Sequence, residues 1–307
     1  MYSSNILLSP EITDARKAGA PIVALESTVI THGLPYPENL SLAQDMEAEV
    51  RLQDAIPATI AVIAGKVRVG LDAVQLERLA KGQAVRKIST RDLAAAIAQQ
   101  ADGGTTVAAT LVAAHAAGIG VFATGGIGGV HRQAPFDVSA DLHQLAHTPL
   151  VVVCAGAKAI LDLPATIEML ETLNVPVIGY QTDEFPAFYS KTSGLPVSAR
   201  ADSPEEITTI ARAHWELGFK SAILVVNPPP EDAAVPPEAV NDSIEQALRE
   251  AQAQGIHGQA VTPFLLRRVS ELTGGASLQA NLALLLNNAR LGAQIAGCIA
   301  GKNRPPL

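Results

Sequence analysis

Cysteine is scarce: Cys154 and Cys298 are the only two in 307 residues, and they lie far apart in the chain. That excludes a disulfide framework and a cysteine-spaced metal site, and it fits a reducing cytosol. Cys154, inside VVVCAG, is expected to behave as a small core hydrophobe. Aromatic residues make up only 4% of the chain and charged residues only 17%. Positive charge is in deficit, with 22 Lys and Arg against 30 Asp and Glu, and no basic stripe or arm offsets the net charge of −8. A nucleic-acid polymer, whose phosphates demand clustered cations, is therefore not an expected partner. A single phosphate on a small substrate remains compatible. No apolar run reaches the roughly 20 residues needed to span a bilayer, and no basic segment followed by an apolar one opens the chain. No membrane partner is expected, and the expected location is cytoplasmic.

What is present is an apolar fraction of 48%, dominated by Ala, Val, Ile and Leu and punctuated by 24 glycines. That palette suits an α/β fold with buried parallel strands. Strand-like and helix-like segments alternate without a linker or a fixed-period repeat, so residues 1–307 read as a single domain with frayed ends at about 1–8 and 302–307. Ser9 and Pro10 start a short helix to Ala18. PIVALESTVITHG reads as a β-rich run ending at Gly33, TIAVIAG and VRVG as a hairpin, and Gly103-Gly104 as a turn before an Ala-rich helix. GVFATGGIGGV reads as a strand followed by a loop whose glycines permit positive φ or close approach to a ligand. It matches neither dinucleotide nor P-loop spacing.

Few charged residues sit in apolar surroundings, and those few are the candidates for chemistry. Glu26 interrupts the run PIVALESTV, where an ionised carboxylate is costly unless paired or used. Lys158 follows the most apolar strand, PLVVVCAGAK, at the end where α/β folds place ligands. Desolvation there would leave an amine able to form a Schiff base. Lys87 precedes Ser89 and Thr90 and could hold a phosphate. Asp137 and Asp141, four apart and downstream of His131, could present carboxylates on one face to a hard cation that keeps most of its waters. Capping of a helix at Ala140 by Asp137 or Ser139 explains the same pattern. Asn281, in an apolar helix, needs a buried partner, and Asn287 and Asn288 compete with it. His32, before Gly33, reads on residue type alone as a structural histidine.

Taken together, ALESTVITHG, RKISTRDL, GGTTVAAT, VFATGGIGGVHR, FDVSADL, VVCAGAKAILD, VIGYQT, NPPPE, TPFLL and NLALLLNNA stand in an order that resembles the pseudouridine-5′-phosphate glycosidases, the indigoidine synthase A-like family. The resemblance runs from about Ser9 to Ala296. It implies a three-layer α/β/α fold with a largely buried central sheet, a homotrimer, and one divalent cation, preferably Mn²⁺, with Mg²⁺ or another divalent ion as substitute. The implied reaction is reversible cleavage of pseudouridine 5′-phosphate to uracil and ribose 5-phosphate. The resemblance assigns the nucleophile to Lys158, the proton donor to Glu26 and a polar active-site position to Asn281. It assigns substrate contacts to Lys87, Val107, His131, Ser139, Ala140 and Asp141, and the metal ligand to Asp137. No carried-over position is substituted. The competing expectation is a Schiff-base lyase of the aldolase type acting on a sugar phosphate.

Overall fold

The structure, a computed structural model, describes residues 5–132, 134–256 and 258–301. In chain order the strands are β1 (Ile6–Leu8), β2 (Ile22–Leu25), β3 (Ile56–Ile63), β4 (Lys66–Val69), β5 (Arg86–Ile88), β6 (Gly103–Thr105), β7 (Val121–Ala123), β8 (Val130–His131), β9 (Ala134–Val138), β10 (Val151–Cys154), β11 (Leu161–Asp162), β12 (Val177–Tyr180), β13 (Ala199–Ala201) and β14 (Ile223–Val226). The α-helices are α1 (Pro10–Ala18), α2 (Glu38–Leu52), α3 (Ala73–Lys81), α4 (Leu93–Ala98), α5 (Val107–Ala116), α6 (Ala140–Leu145), α7 (Leu163–Thr172), α8 (Pro204–Glu216), α9 (Pro237–Ala253), α10 (Val261–Leu272) and α11 (Ala276–Ala300).

The main sheet runs β1-β4-β3-β2-β7-β10-β14-β12-β13, with β6 and then β5 branching from β3. From β3 through β13 every neighbouring pair is parallel. The sequences IVAL, VVVC and ILVV of β2, β10 and β14 are buried at every position. Such runs do not alternate because both faces of the sheet are covered by helices, the three-layer α/β/α arrangement. Helix α11 covers β2, β7 and β10 between α2 and α8, whereas α5 lies against β2, β3 and β4. Among the described residues α11 is the one helix long and apolar enough to cross a membrane. Its apolar surface is spent on the sheet: Gly292 brings it so close to β7 that an added Cβ would stand 3.1 Å from that of Ala123.

Several local expectations change. Residues 6–8, expected to fray, form β1, which pairs in parallel with β4; residues 1–4 and 302–307 lie outside the described residues. The run expected to stay extended to Gly33 stops at Leu25, and Val29–Gly33 is a single π-helical turn, started when the amides of Ile30 and Thr31 turn back to the Ser27 carbonyl, each at 3.1 Å. Gly103-Gly104 is strand β6 rather than a turn. Its glycines serve packing, since a Cβ on Gly104 would fall 2.3 Å from Thr31 Oγ1 and 2.8 Å from the Ser27 carbonyl. Leu161–Asp162 pairs with His131 and Val130 as β11, so α7 begins only at Leu163.

Candidate active site

Three central strands hand over to a polar residue at their carboxyl ends: β2 to Glu26, β7 to Thr124 and β14 to Asn227. Register sets Leu25 opposite Ala123, so the next residues along, Glu26 and Thr124, stand side by side. The Thr124 hydroxyl donates to Glu26 Oε1 at 2.5 Å. Asn288 of α11, wholly buried, donates to the Thr124 carbonyl at 2.9 Å and accepts from Asn227 Nδ2 at 3.1 Å. Asn288 therefore fastens the helix to the strand ends, while Asn287 donates to the Pro228 carbonyl at 3.3 Å.

Lys158 lies beyond the end of β10, which closes at Cys154. The loops after β7 and β10 keep pairing past the sheet: Ala155 N–H donates to the Gly125 carbonyl at 2.9 Å, Ile127 N–H to that of Gly156 at 3.1 Å, and Lys158 N–H to that of Ile127 at 3.1 Å. Gly156 takes φ +87°, and a Cβ there would lie 2.4 Å from the Pro186 carbonyl. The expected positive φ thus occurs in the lysine loop. Gly125, Gly126, Gly128 and Gly129 avoid it and instead allow close contact. Cys154, buried beneath, has its thiol pushed up to about 12 by burial, as an inert core residue should.

Lys87 comes from β5, beside β6, and Val107 from the first turn of α5. Burial, and then the positive charge of Lys158, hold the Lys87 ammonium below its ordinary value. Burial also pushes the Glu26 carboxyl above the ordinary carboxylate range, opposed by the charge of Lys158 and the Thr124 hydrogen bond. A carboxyl pushed up and an amine pushed down in one site are a pairing suited to proton transfer.

Asp137 and Asp141 do not share a face. Asp141, 5% exposed in α6, accepts from the Ala108 amide at 2.9 Å through Oδ1 and from the Gly128 amide at 2.8 Å through Oδ2. Its carboxylate ties α5 to the glycine loop. Ser139 caps α6 by accepting from the Asp141 amide at 3.2 Å. Asp137 stands in β9 with its side chain 56% exposed, and its carboxylate comes within 4.0 Å of His131 Nδ1. Among the described residues no three His, Cys, Asp or Glu side chains gather as a ligand cluster.

Glu26, Lys87, Lys158, Val107, His131 and the segment Asp137, Ser139, Ala140 and Asp141 all line one cavity of about 370 Å³ at the carboxyl edge of the sheet. Asn281 lines an adjoining chamber that shares Glu26, Lys87 and Lys158 with it. Sequence reading missed Thr124, Thr28, Arg91, Thr262 and the placement of His32 in that chamber. A usable signal existed for Thr124, which is the first polar residue after the apolar strand VFA, as Glu26 is after IVAL.

The family model of indigoidine synthase A-like proteins matches residues 11–298. A protein of Paracoccus denitrificans named pseudouridine-5′-phosphate glycosidase is 58% identical over 299 residues, spanning 96% of this chain and 98% of its own length. One of the same name from Jannaschia is 57% identical, over 95% of this chain and 97% of its own. Among solved structures, a prealnumycin C-glycosynthase in complex with ribulose 5-phosphate superposes with a TM-score of 0.90 at 39% identity, covering 97% of this chain and 98% of that one. An indigoidine synthase A-like protein of Thermotoga maritima gives 0.88 at 37%, covering 96% of each. The chain belongs to the indigoidine synthase A-like family.

Proposed function

We propose that this protein reversibly cleaves the carbon–carbon glycosidic bond of pseudouridine 5′-phosphate, giving uracil and ribose 5-phosphate. The observation that carries the reading is the meeting of Glu26, Lys87 and Lys158 in one cavity at the carboxyl edge of a parallel sheet. The names of the relatives, and a structural neighbour that binds a pentose phosphate while making a C-glycoside, support it. A C-glycoside joins C1′ to a carbon of the base, with no heteroatom in the scissile bond to protonate, so the paired-carboxylate route to ordinary glycosides is poor. A lysine supplies an alternative. Lys158 Nζ bonds to C1′ as the C1′–O4′ bond breaks and Glu26 gives its proton to O4′. Glu26 recovers a proton from the secondary ammonium. The nitrogen lone pair then forms C1′=N as the bond to uracil C5 breaks, and C5 takes the Glu26 proton. Water hydrolyses the imine to ribose 5-phosphate and restores amine and acid.

The lowered pKa of Lys87 favours a second assignment, in which Lys87 forms the imine and Lys158 supplies positive charge beside it. Borohydride added during turnover, followed by peptide mapping, distinguishes the two: the adduct is expected on Lys158. A protein that releases no uracil from pseudouridine 5′-phosphate would overturn the reading and favour an aldolase-type lyase on a sugar phosphate.

Asp137, exposed on the cavity wall, fits a divalent cation held through one carboxylate and otherwise by water and substrate oxygens. Bound Mn²⁺ or Mg²⁺ would neutralise phosphate charge. Asp141, committed to two backbone amides, is the weaker candidate for that ligand. A homotrimer also belongs to this reading. Sedimentation equilibrium tests the assembly.

A further inference from the structure

Two features of the smaller chamber are not used by the chemistry above. Thr28 lines both chambers, and its hydroxyl oxygen is buried without a hydrogen-bond partner. Such an atom costs free energy unless a ligand satisfies it. One turn on, His32 closes the π-helical turn Val29–Gly33, a geometry often retained at functional sites. Its Nδ1 lies 2.7 Å from Thr31 Oγ1, and that hydroxyl donates to the Ser27 carbonyl at 3.2 Å. Either atom of that pair can supply the proton; with the Thr31 proton on the Ser27 carbonyl, Nδ1 is the donor and Nε2 is left as a bare acceptor. His32 lines the chamber together with Glu26, Lys158, Asn281 and Phe188.

From this juxtaposition we infer that His32 and Thr28 recognise the pyrimidine base, with His32 Nε2 accepting a ring N–H and the Thr28 hydroxyl bonding the same planar edge. The inference rests on the reading of the reaction given above and adds the residues that choose the base. Burial, and then the positive charge of Lys87, lower the His32 pKa, which keeps the imidazole neutral and able to accept. Phe188 supplies an apolar wall on which a flat ring can lie. An imide such as uracil offers N–H donors flanked by carbonyls, whereas a base methylated at the contacted nitrogen offers a clash instead of a donor.

The test uses the full chain in the synthetic direction, with ribose 5-phosphate and uracil, 1-methyluracil or 3-methyluracil. Wild type is expected to reject one methyl isomer. His32→Ala should raise the KM for uracil about tenfold or more, narrow the discrimination between isomers and leave the KM for ribose 5-phosphate unchanged. Thr31→Val, which removes the Nδ1 partner without removing the ring, should raise the uracil KM less. Unchanged uracil KM and unchanged isomer preference in both variants would overturn the inference, as would equal use of all three bases by wild type. Histidine ¹⁵N spectra of wild type give a readout independent of turnover. The Nε2 signal of His32 should lie in the bare-acceptor range and move when uracil is added, and a protonated Nε2 or a signal indifferent to uracil sinks the idea. Absence of any C-glycoside product from wild type would instead count against the proposed reaction.

Discussion

Thr124 donates its hydroxyl to Glu26 Oε1 at 2.5 Å across two parallel strands whose register makes them neighbours. That bond favours the ionised carboxylate while burial disfavours it, and burial prevails. Thr124→Val keeps the shape and removes the donor. Glu26 should then hold its proton to still higher pH, moving the alkaline limb of the kcat/KM profile up by about one unit, the equivalent of a charge-assisted hydrogen bond of roughly 1.5 kcal/mol. A profile that does not move would separate Glu26 from the rate-limiting proton transfer.

Glu26 also links activity to stability. Its folded pKa is raised, so between the unfolded and folded values the native chain holds a proton that the unfolded chain has lost. Stability therefore falls as pH rises through that interval. Glu26→Gln should abolish turnover yet raise unfolding free energy at mildly alkaline pH, by on the order of 1 kcal/mol. The gain should vanish once pH drops below the unfolded carboxylate range. Denaturant titrations across pH measure it.

Asp141 lines the cavity, but its carboxylate works as a brace for two buried amides. Asparagine offers one oxygen where two are used, leaving the Ala108 or Gly128 amide unsatisfied. Asp141→Asn should cost about 1–3 kcal/mol in stability and lower kcat as well. Denaturation midpoints unchanged from wild type would contradict the bracing role.

Among the described residues Asp137 makes only a long approach to His131 and braces nothing comparable. Asp137→Asn should leave the melting temperature near wild type while raising the Mn²⁺ concentration for half-maximal activity by roughly 10- to 100-fold. Chelation of wild type should give the same loss, restored by Mn²⁺.

The charged part of the site was legible in the sequence because Glu26 and Lys158 break or follow long apolar runs, where a charge demands a reason. The fold was legible for a related cause: IVAL, VVVC and ILVV are too uniformly apolar for a sheet with one wet face. Other features depend on register and packing, which a linear pattern does not carry. Thr124 is an ordinary neutral residue until β2 and β7 are aligned. The pair Gly103-Gly104 gives the same local signal for a turn as for a strand pressed against Thr31 and Ser27. TVITHG, rich in β-branched residues, favours extended chain by propensity, and the amides returning to the Ser27 carbonyl override it. The same run therefore reads as putting His32 at a strand end, and its contact with Thr31 is invisible in the linear pattern.

Along α11, Asn281, Leu285, Asn288 and Gly292 fall on one stripe, spaced four, three and four residues apart. Asn281 and Leu285 line the smaller chamber, Asn288 grips the Thr124 carbonyl and Gly292 seats the helix on β7. One inserted or deleted residue within that span would rotate everything beyond it by about 100°, uncoupling the chamber wall from its anchor. Length is thus the property of this helix that tolerates least drift, and lineages of the fold should accept changed letters on its outer face far more readily than a changed count.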